Sequence, residues 1–420
     1  MRHFYSLLLY LALPAVLAYL LWRAVREPDY ARRLGERFGF VARQPGGVST
    51  WIHAASVGEV AAAASLVRRL VENLPPRSLL VTTTTPAGAE RARAAFGDTV
   101  LHACAPLDLP GAVRRFLDRV QPRRAIVMET ELWPNLFHGL AARHVPIVIA
   151  NGRLSPRSFG RYQNVRGLVA RTLRHCGAIA AQSAAAAERF RALGADPARV
   201  HVLGNLKFDL ELPADQVTAG HVLRARWGEA RPVWIAASTH EGEEEAVLQA
   251  HRILLTRFRD AVLILVPRHP QRFEAVARLT DATGLRVARR SRLGAVASLE
   301  HVQVLFGDSM GEMAMYFGAA DVAFVGGSLV EVGGHNVLEP AALGLPVLFG
   351  PHMFNFEPAR SLLLEHGAAR EIGGLLDLEP ALSKLLHDPA ARAAMGRAGR
   401  DALHANRGAL ERLLNLIENS

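Results

Sequence analysis

The chain has 420 residues, half of them hydrophobic, two cysteines and a formal net charge of +10. That length implies about two to three domains whose cores need no staples. Cys104 and Cys176 cannot build a disulfide framework, no CxxC pair is present for a structural zinc, and a 21% charged, Leu-, Val- and Ala-rich chain is not disordered.

The charge is unevenly placed. Residues 1–200 hold 27 Lys+Arg against 13 Asp+Glu, a net of +14, whereas residues 201–420 hold 22 against 26, a net of −4. The two halves should therefore face different partners. Basic character alone does not separate nucleic acid, anionic membrane and phosphorylated substrate.

Phe4 to Trp22 is free of charge. As a helix it would be roughly 28 Å long at about 1.5 Å per residue, enough for a bilayer core. It exceeds a usual signal-peptide core, and no A-x-A site closes it. Arg23, Arg26, Arg32, Arg33 and Arg37 follow it, against Arg2 before it, which places the body on the cytoplasmic side. Residues 1–26 are expected as a membrane anchor. A core helix is the plain alternative, and Pro14 leaves shallow monotopic insertion open.

Downstream, apolar runs alternate with amphipathic stretches. The first series of expected strands is 50–54, 79–83, 100–103, 125–128, 147–150 and 178–181. The second is 233–237, 262–266, 302–306, 322–325 and 346–349. Helical patterns lie between them, as at 60–73, 87–96 and 243–257. This alternation predicts two parallel, doubly wound α/β domains, at 27–208 and 221–420. The polar stretch 209–220, with Pro213 inside it, is expected to link them.

Open α/β sheets bind ligands beyond the carboxyl ends of their strands. Polar residues gather at nearly every such end, and two such edges facing each other would make an interdomain cleft. Glu59 follows the first strand at a helix start. It reads either as a general base or as the third residue of a capping box with Ser56. Glu129 and Glu131 follow the fourth strand; if that strand continues, at most one faces the ligand. Lys207 is one of two lysines among 49 basic residues. It reads as a point charge for phosphate or as a surface residue. Arg268, after Pro267, suits either bidentate phosphate binding or a strand-end salt bridge. In 326–340 (GGSLVEVGGHNVLEP) a helix is expected from Asn336, with Glu339 positioned to accept ribose hydroxyls or simply to pair with Asn336. This loop is neither GxGxxG nor a Walker A loop. The histidines 53, 240, 269, 335 and 352 show no metal spacing and read as hydrogen-bonding groups.

Eight strings in order carry a resemblance over nearly the whole chain: HAASVGE (53–59), TTTTPAGAER (82–91), METELWPN (128–135), NGRLSPRSFGRY (151–162), GNLKFD (204–209), STHEGEE (238–244), VPRHPQRF (266–273) and GGSLVEVGGHNVLEPA (326–341). Together they resemble the 3-deoxy-D-manno-octulosonic acid (Kdo) transferases. The resemblance implies a GT-B glycosyltransferase of two Rossmann-like domains, with a final helix crossing back to the first. It implies CMP-Kdo as donor, a bisphosphorylated lipid A precursor as acceptor, inversion at the anomeric centre, no catalytic metal or cofactor, and attachment to the cytoplasmic face of the inner membrane among anionic lipids. It also implies roles: Glu59 as base, Glu129 and Lys207 as further functional groups, and Pro267, Arg268, Gly311, Glu312, Met313 and Asn336, Val337, Leu338, Glu339 as nucleotide contacts. A UDP-sugar transferase and a membrane-tethered binding protein without catalysis are the rival readings. Nucleic-acid binding is disfavoured, because the basic half lacks interleaved aromatics.

Overall fold

The structure, a computed structural model, describes residues 1–228, 230–295 and 298–419. The chain divides into two compact units. Unit 1 comprises Met1–Asp209 and Asn406–Ser420, and unit 2 comprises Leu210–Ala405.

Unit 1 is built on seven parallel strands: β1 (Thr50–His53), β2 (Leu79–Thr83), β3 (Leu101–Cys104), β4 (Ala125–Met128), β5 (Ile147–Gly152), β6 (Ala178–Ala181) and β7 (Val200–Val202). Their spatial order is β3-β2-β1-β4-β5-β6-β7. Alternate residues feed two cores. Trp51 and Val127 join Phe116, Phe137 and Phe190 on one face, while Ile52 and Ile126 join Val60 and Leu66 on the other. Both faces are covered, so the strands read as unbroken apolar runs instead of alternating ones. The helix Ala409–Glu418 belongs to the second of these cores through Ala409, Leu410, Leu413 and Ile417. Its start is fixed by Asp209, whose carboxylate accepts from the amides of Gly408 and Leu410 at 2.6 and 2.5 Å.

Unit 2 repeats the plan with β8 (Val233–Thr239), β9 (Val262–Pro267), β10 (Val287–Arg289), β11 (Val304–Phe306), β12 (Val322–Val325), β13 (Val347–Phe349) and β14 (Ala369–Glu371), in the order β10-β11-β9-β8-β12-β13-β14. Trp234, Phe306 and Phe324 fill one face, and Ile235, Leu305 and Tyr316 fill the other. Within 209–220, expected as a linker, the chain is helical from Ala214 onward, and Ala214–Ala225 packs in unit 2. Pro213 stands at the position preceding the helix, where a missing amide costs nothing. Gly220 brings that helix against Met315 O and Gly318, where a Cβ would stand 2.4 Å from the carbonyl.

In unit 1 the strand order reverses between β1 and β4, and in unit 2 the corresponding central reversal falls between β8 and β12. At such switch points the loops diverge and leave a crevice beyond the strand ends. The two candidate clusters lie there.

Before β1, Arg2–Arg26 forms one 25-residue helix, long and apolar enough to cross a membrane by length and composition, with Pro14 inside it.

Candidate active site

In unit 1 the switch point carries three acids and a lysine. Glu59 lies in the first turn of the helix Val57–Asn73 and is nearly buried. The Ser56 side chain accepts from the Glu59 amide at 3.3 Å and donates to Oε1 at 3.0 Å, while the Ala55 amide donates to Oε2 at 2.8 Å. The capping geometry thus holds this carboxylate at the carboxyl end of β1. Burial pushes the Glu59 carboxyl up to about 7; the Ala55 amide pulls the other way, and the charges of Glu131 and Glu129 add to the rise. A carboxylate poised near neutrality is suited to taking up a proton.

Glu129 follows β4 with a backbone φ of +54°. A left-handed turn at a non-glycine residue is uncommon and costs of order 1 kcal/mol. Here it ends the strand, so Glu129 and Glu131 do not alternate across a sheet; both charges act on Glu59. The expectation that at most one of them would face the site assumed a continuing strand. Glu131 Oε2 accepts from Trp133 Nε1 at 2.9 Å, and burial raises its carboxyl. Lys207 Nζ lies 3.9 Å from Glu129 Oε1. The Lys207 turn is set by Asn151 at the end of β5, whose Oδ1 accepts from the Leu206 amide at 3.0 Å, and by Asn205, which caps Lys207 N at 3.1 Å. His53 is structural: buried against Thr82 Oγ1 at 3.0 Å, it is pushed down to about 4 and stays neutral.

In unit 2 the loops after β8 and β12 are tied together by Glu243, a fully buried residue. Its carboxylate accepts from four amides: His240 and Gly327 on Oε2 at 2.9 and 2.7 Å, and Ser328 and Leu329 on Oε1 at 3.2 and 3.0 Å. Above it the rings of His240 and His335 stack at 5.0 Å with Nε2 atoms 2.8 Å apart. One ring must donate and the other accept, so the pair excludes two protonated imidazoles; burial holds His335 down near 4. Pro267 is buried at the end of β9, and Arg268 beyond it is exposed with no ion-pair partner among the described residues. The salt-bridge reading of Arg268 finds no support there.

Gly311 has φ +79°, and its carbonyl accepts from Gln216 Nε2 at 2.8 Å. Glu312 is held by Arg290 at 2.5 Å and by the Ser309 hydroxyl, and Met313 opens the helix Met313–Gly318. Asn336 does not begin a helix; its Oδ1 accepts from Leu338 N at 3.1 Å ahead of Leu338–Ala342, and its amide donates to Glu339 Oε1 at 2.9 Å. Val337 and Leu338 are buried beneath them. The pairing of Asn336 with Glu339 is thus real, and it fixes the Glu339 carboxylate.

The sequence reading gave no role to Asn151 or Glu243, each inside a quoted string. Four acids stand together at Glu241, Glu243, Glu244 and Glu245; Glu243 and Glu244 are both fully buried, and their partners tell them apart, the loop amides for Glu243 and the Arg272 guanidinium for Glu244.

The two seven-stranded parallel units, each with polar groups gathered at its switch point, have the build of a GT-B glycosyltransferase. In fold the chain is similar to MurG of Acinetobacter baumannii, with a TM-score of 0.55 at 13% identity, covering 89% of this chain and all of that one. Residues 32–210 match the family model described as 3-deoxy-D-manno-octulosonic-acid transferase (kdotransferase). The chain is 45% identical to the 3-deoxy-D-manno-octulosonic acid transferase of Haemophilus influenzae over 99% of its own length and 98% of that protein's, and 39% identical to that of Bordetella pertussis over 95% of each. The chain belongs to the 3-deoxy-D-manno-octulosonic acid transferase family, and Kdo transfer in lipopolysaccharide core synthesis is its activity.

Proposed function

We propose that the chain transfers Kdo from CMP-Kdo to a bisphosphorylated lipid A precursor, with inversion and without a metal, at the cytoplasmic face of the inner membrane. The observation that carries this reading is the Glu59 carboxylate, buried at a helix start, raised to about 7 and held by Ala55 N and the Ser56 hydroxyl.

In this mechanism Glu59 takes the proton of the acceptor hydroxyl as that oxygen bonds to the anomeric carbon of Kdo. The bond from that carbon to the CMP phosphate oxygen breaks, and the electron pair leaves with CMP. The exposed Arg268 guanidinium meets the charge that develops on the phosphate. Lys207, near Glu129, offers a second cation in unit 1. The loop that Glu243 fixes, with Glu339 held by Asn336, receives the cytidine and its ribose hydroxyls. The basic first half suits a doubly phosphorylated acceptor and anionic headgroups, where each basic residue near the surface adds about 1 kcal/mol.

Purified full-length protein is given CMP-Kdo and a bisphosphorylated lipid A precursor, and the lipid product is weighed by mass spectrometry. A product heavier by Kdo is expected. Turnover with UDP-hexoses in place of CMP-Kdo would favour the rival donor, and no CMP release with either would favour a binding protein.

A further inference from the structure

The N-terminal helix is sided, although its sequence is apolar all round. Tyr5, Leu9, Leu13, Val16, Leu20 and Arg23 are partly or fully covered, and their spacing of three or four residues draws one stripe down the whole helix. The opposite face is open: Phe4, Leu7, Leu11, Leu21, Trp22 and Val25 are all about half exposed or more. No charged residue interrupts it between Phe4 and Trp22.

Both ends of this helix are tied to unit 1. In the first turn, Ser6 Oγ and Arg2 Nη1 donate to Asn135 Oδ1 at 3.0 and 3.2 Å. Asn135 is itself fixed by Asp108, whose carboxylate accepts from the amides of Asn135 and Leu136 at 3.0 and 2.7 Å and also bonds the Tyr5 side chain. Ser6, Asp108 and Asn135 are all buried. In the last turn Arg23 donates to the Tyr30 hydroxyl at 3.2 Å, and farther along Arg37 donates to Thr84 O at 2.7 Å just past β2. Glu36 accepts from the Cys104 amide at 2.6 Å at the end of β3.

A helix of 25 residues is about 37 Å long, and a bilayer core is about 30 Å thick. If the helix crossed, its first turn would stand on the far side of the bilayer from Asn135 and Asp108. Those two buried polar side chains would then lose Ser6, Arg2 and Tyr5 as partners, a costly loss. We propose that the helix lies in the plane of the membrane, flat along unit 1, with its open apolar face bedded in the acyl layer of an anionic bilayer. The inference rests on the membrane attachment argued above and specifies its geometry.

The occupant follows from what the open face carries. Its apolar length needs an apolar medium, Tyr19 and Trp22 suit a headgroup boundary, and Arg26, stacked on Trp22 at 4.3 Å, together with Arg2 brackets the run with positive charge.

The test uses full-length protein expressed in Gram-negative cells and carrying either a short Gly-Ser extension with one cysteine ahead of Met1, clear of the open face, or Ala198→Cys at an exposed position. The native Cys104 and Cys176 are buried. A membrane-impermeant maleimide is applied to inside-out vesicles and to intact spheroplasts. An in-plane helix makes both sites react in inside-out vesicles and neither in spheroplasts. Reaction of the N-terminal cysteine in spheroplasts, or only after detergent, overturns the proposal while leaving membrane attachment standing. Protein recovered in the soluble fraction, as a monomer or as a dimer paired through this face, overturns the attachment itself.

Discussion

The ammonium of Lys207 stands 3.9 Å from Oε1 of Glu129, too far for a tight ion pair and close enough for each to feel the other's charge. Both side chains are partly exposed, at 31% and 22%, so the pair adds less than about 1 kcal/mol to stability. Lys207→Met should therefore leave the denaturation midpoint nearly unchanged while lowering turnover on the order of 100-fold. Chemical denaturation beside a CMP-release assay checks this; a large loss of stability with normal turnover would make the lysine structural.

Glu59 should impose a pH dependence on both activity and stability. As a base it works when ionised, so kcat/KM should climb tenfold per pH unit up to about pH 7 and then level. Glu59→Gln should abolish the limb and lower turnover by about 100-fold or more. The fold raises this carboxyl from 4.5 to about 7, so the folded chain holds a proton that the unfolded chain has lost. Its contribution to stability is full below about pH 4.5 and is lost as pH rises through 7, on the order of 3 kcal/mol in all. The parent should therefore lose ground to Glu59→Gln in Tm between pH 5 and pH 8.

Glu243→Ala would leave four amides without an acceptor in a buried place. At about 1–3 kcal/mol for each buried unpaired group, the loss should be on the order of 4 kcal/mol or more. Glu243→Gln keeps one oxygen acceptor and should lose about half as much. Calorimetry reads the stability, and titration with CMP should show affinity falling at least tenfold in the Gln variant, because the loop it orders is the proposed nucleotide loop.

Arg268 makes no ion pair among the described residues and is exposed. Arg268→Ala should leave Tm within about 1 °C of the parent, since surface changes of this kind are worth under about 0.5 kcal/mol. CMP affinity should drop 10- to 100-fold by isothermal titration. Unchanged affinity would remove Arg268 from the nucleotide site.

The central strands were legible because their apolar runs are buried on both faces. Leu79–Thr83, Ala125–Met128, Ala178–Ala181 and Val322–Val325 fall where the sequence placed them. The unread strands are Val200–Val202, Val287–Arg289 and Ala369–Glu371, three residues each at sheet edges. There only one neighbour pairs and no long apolar run is required. The acids after β4 were visible as residues but misjudged as geometry, because the left-handed turn at Glu129 has no signature in a glutamate. The N-terminal run showed its length and apolarity; its sidedness depends on Asn135 and Asp108, more than a hundred residues away.

Asp209 and the helix Ala409–Glu418 are joined by two short hydrogen bonds, yet 196 residues, Leu210–Ala405, separate the two parts of unit 1. During synthesis at about 5–20 residues per second, roughly 10–40 s pass between the emergence of Asp209 and that of Asn406. Over that interval Ile52, Val60 and Leu66 await the side chains of Leu410 and Leu413. The half of the chain made first is therefore finished last. A nascent chain halted before its final fifteen residues leaves the ribosome with an incomplete first core, which marks it for chaperone holding or proteolysis.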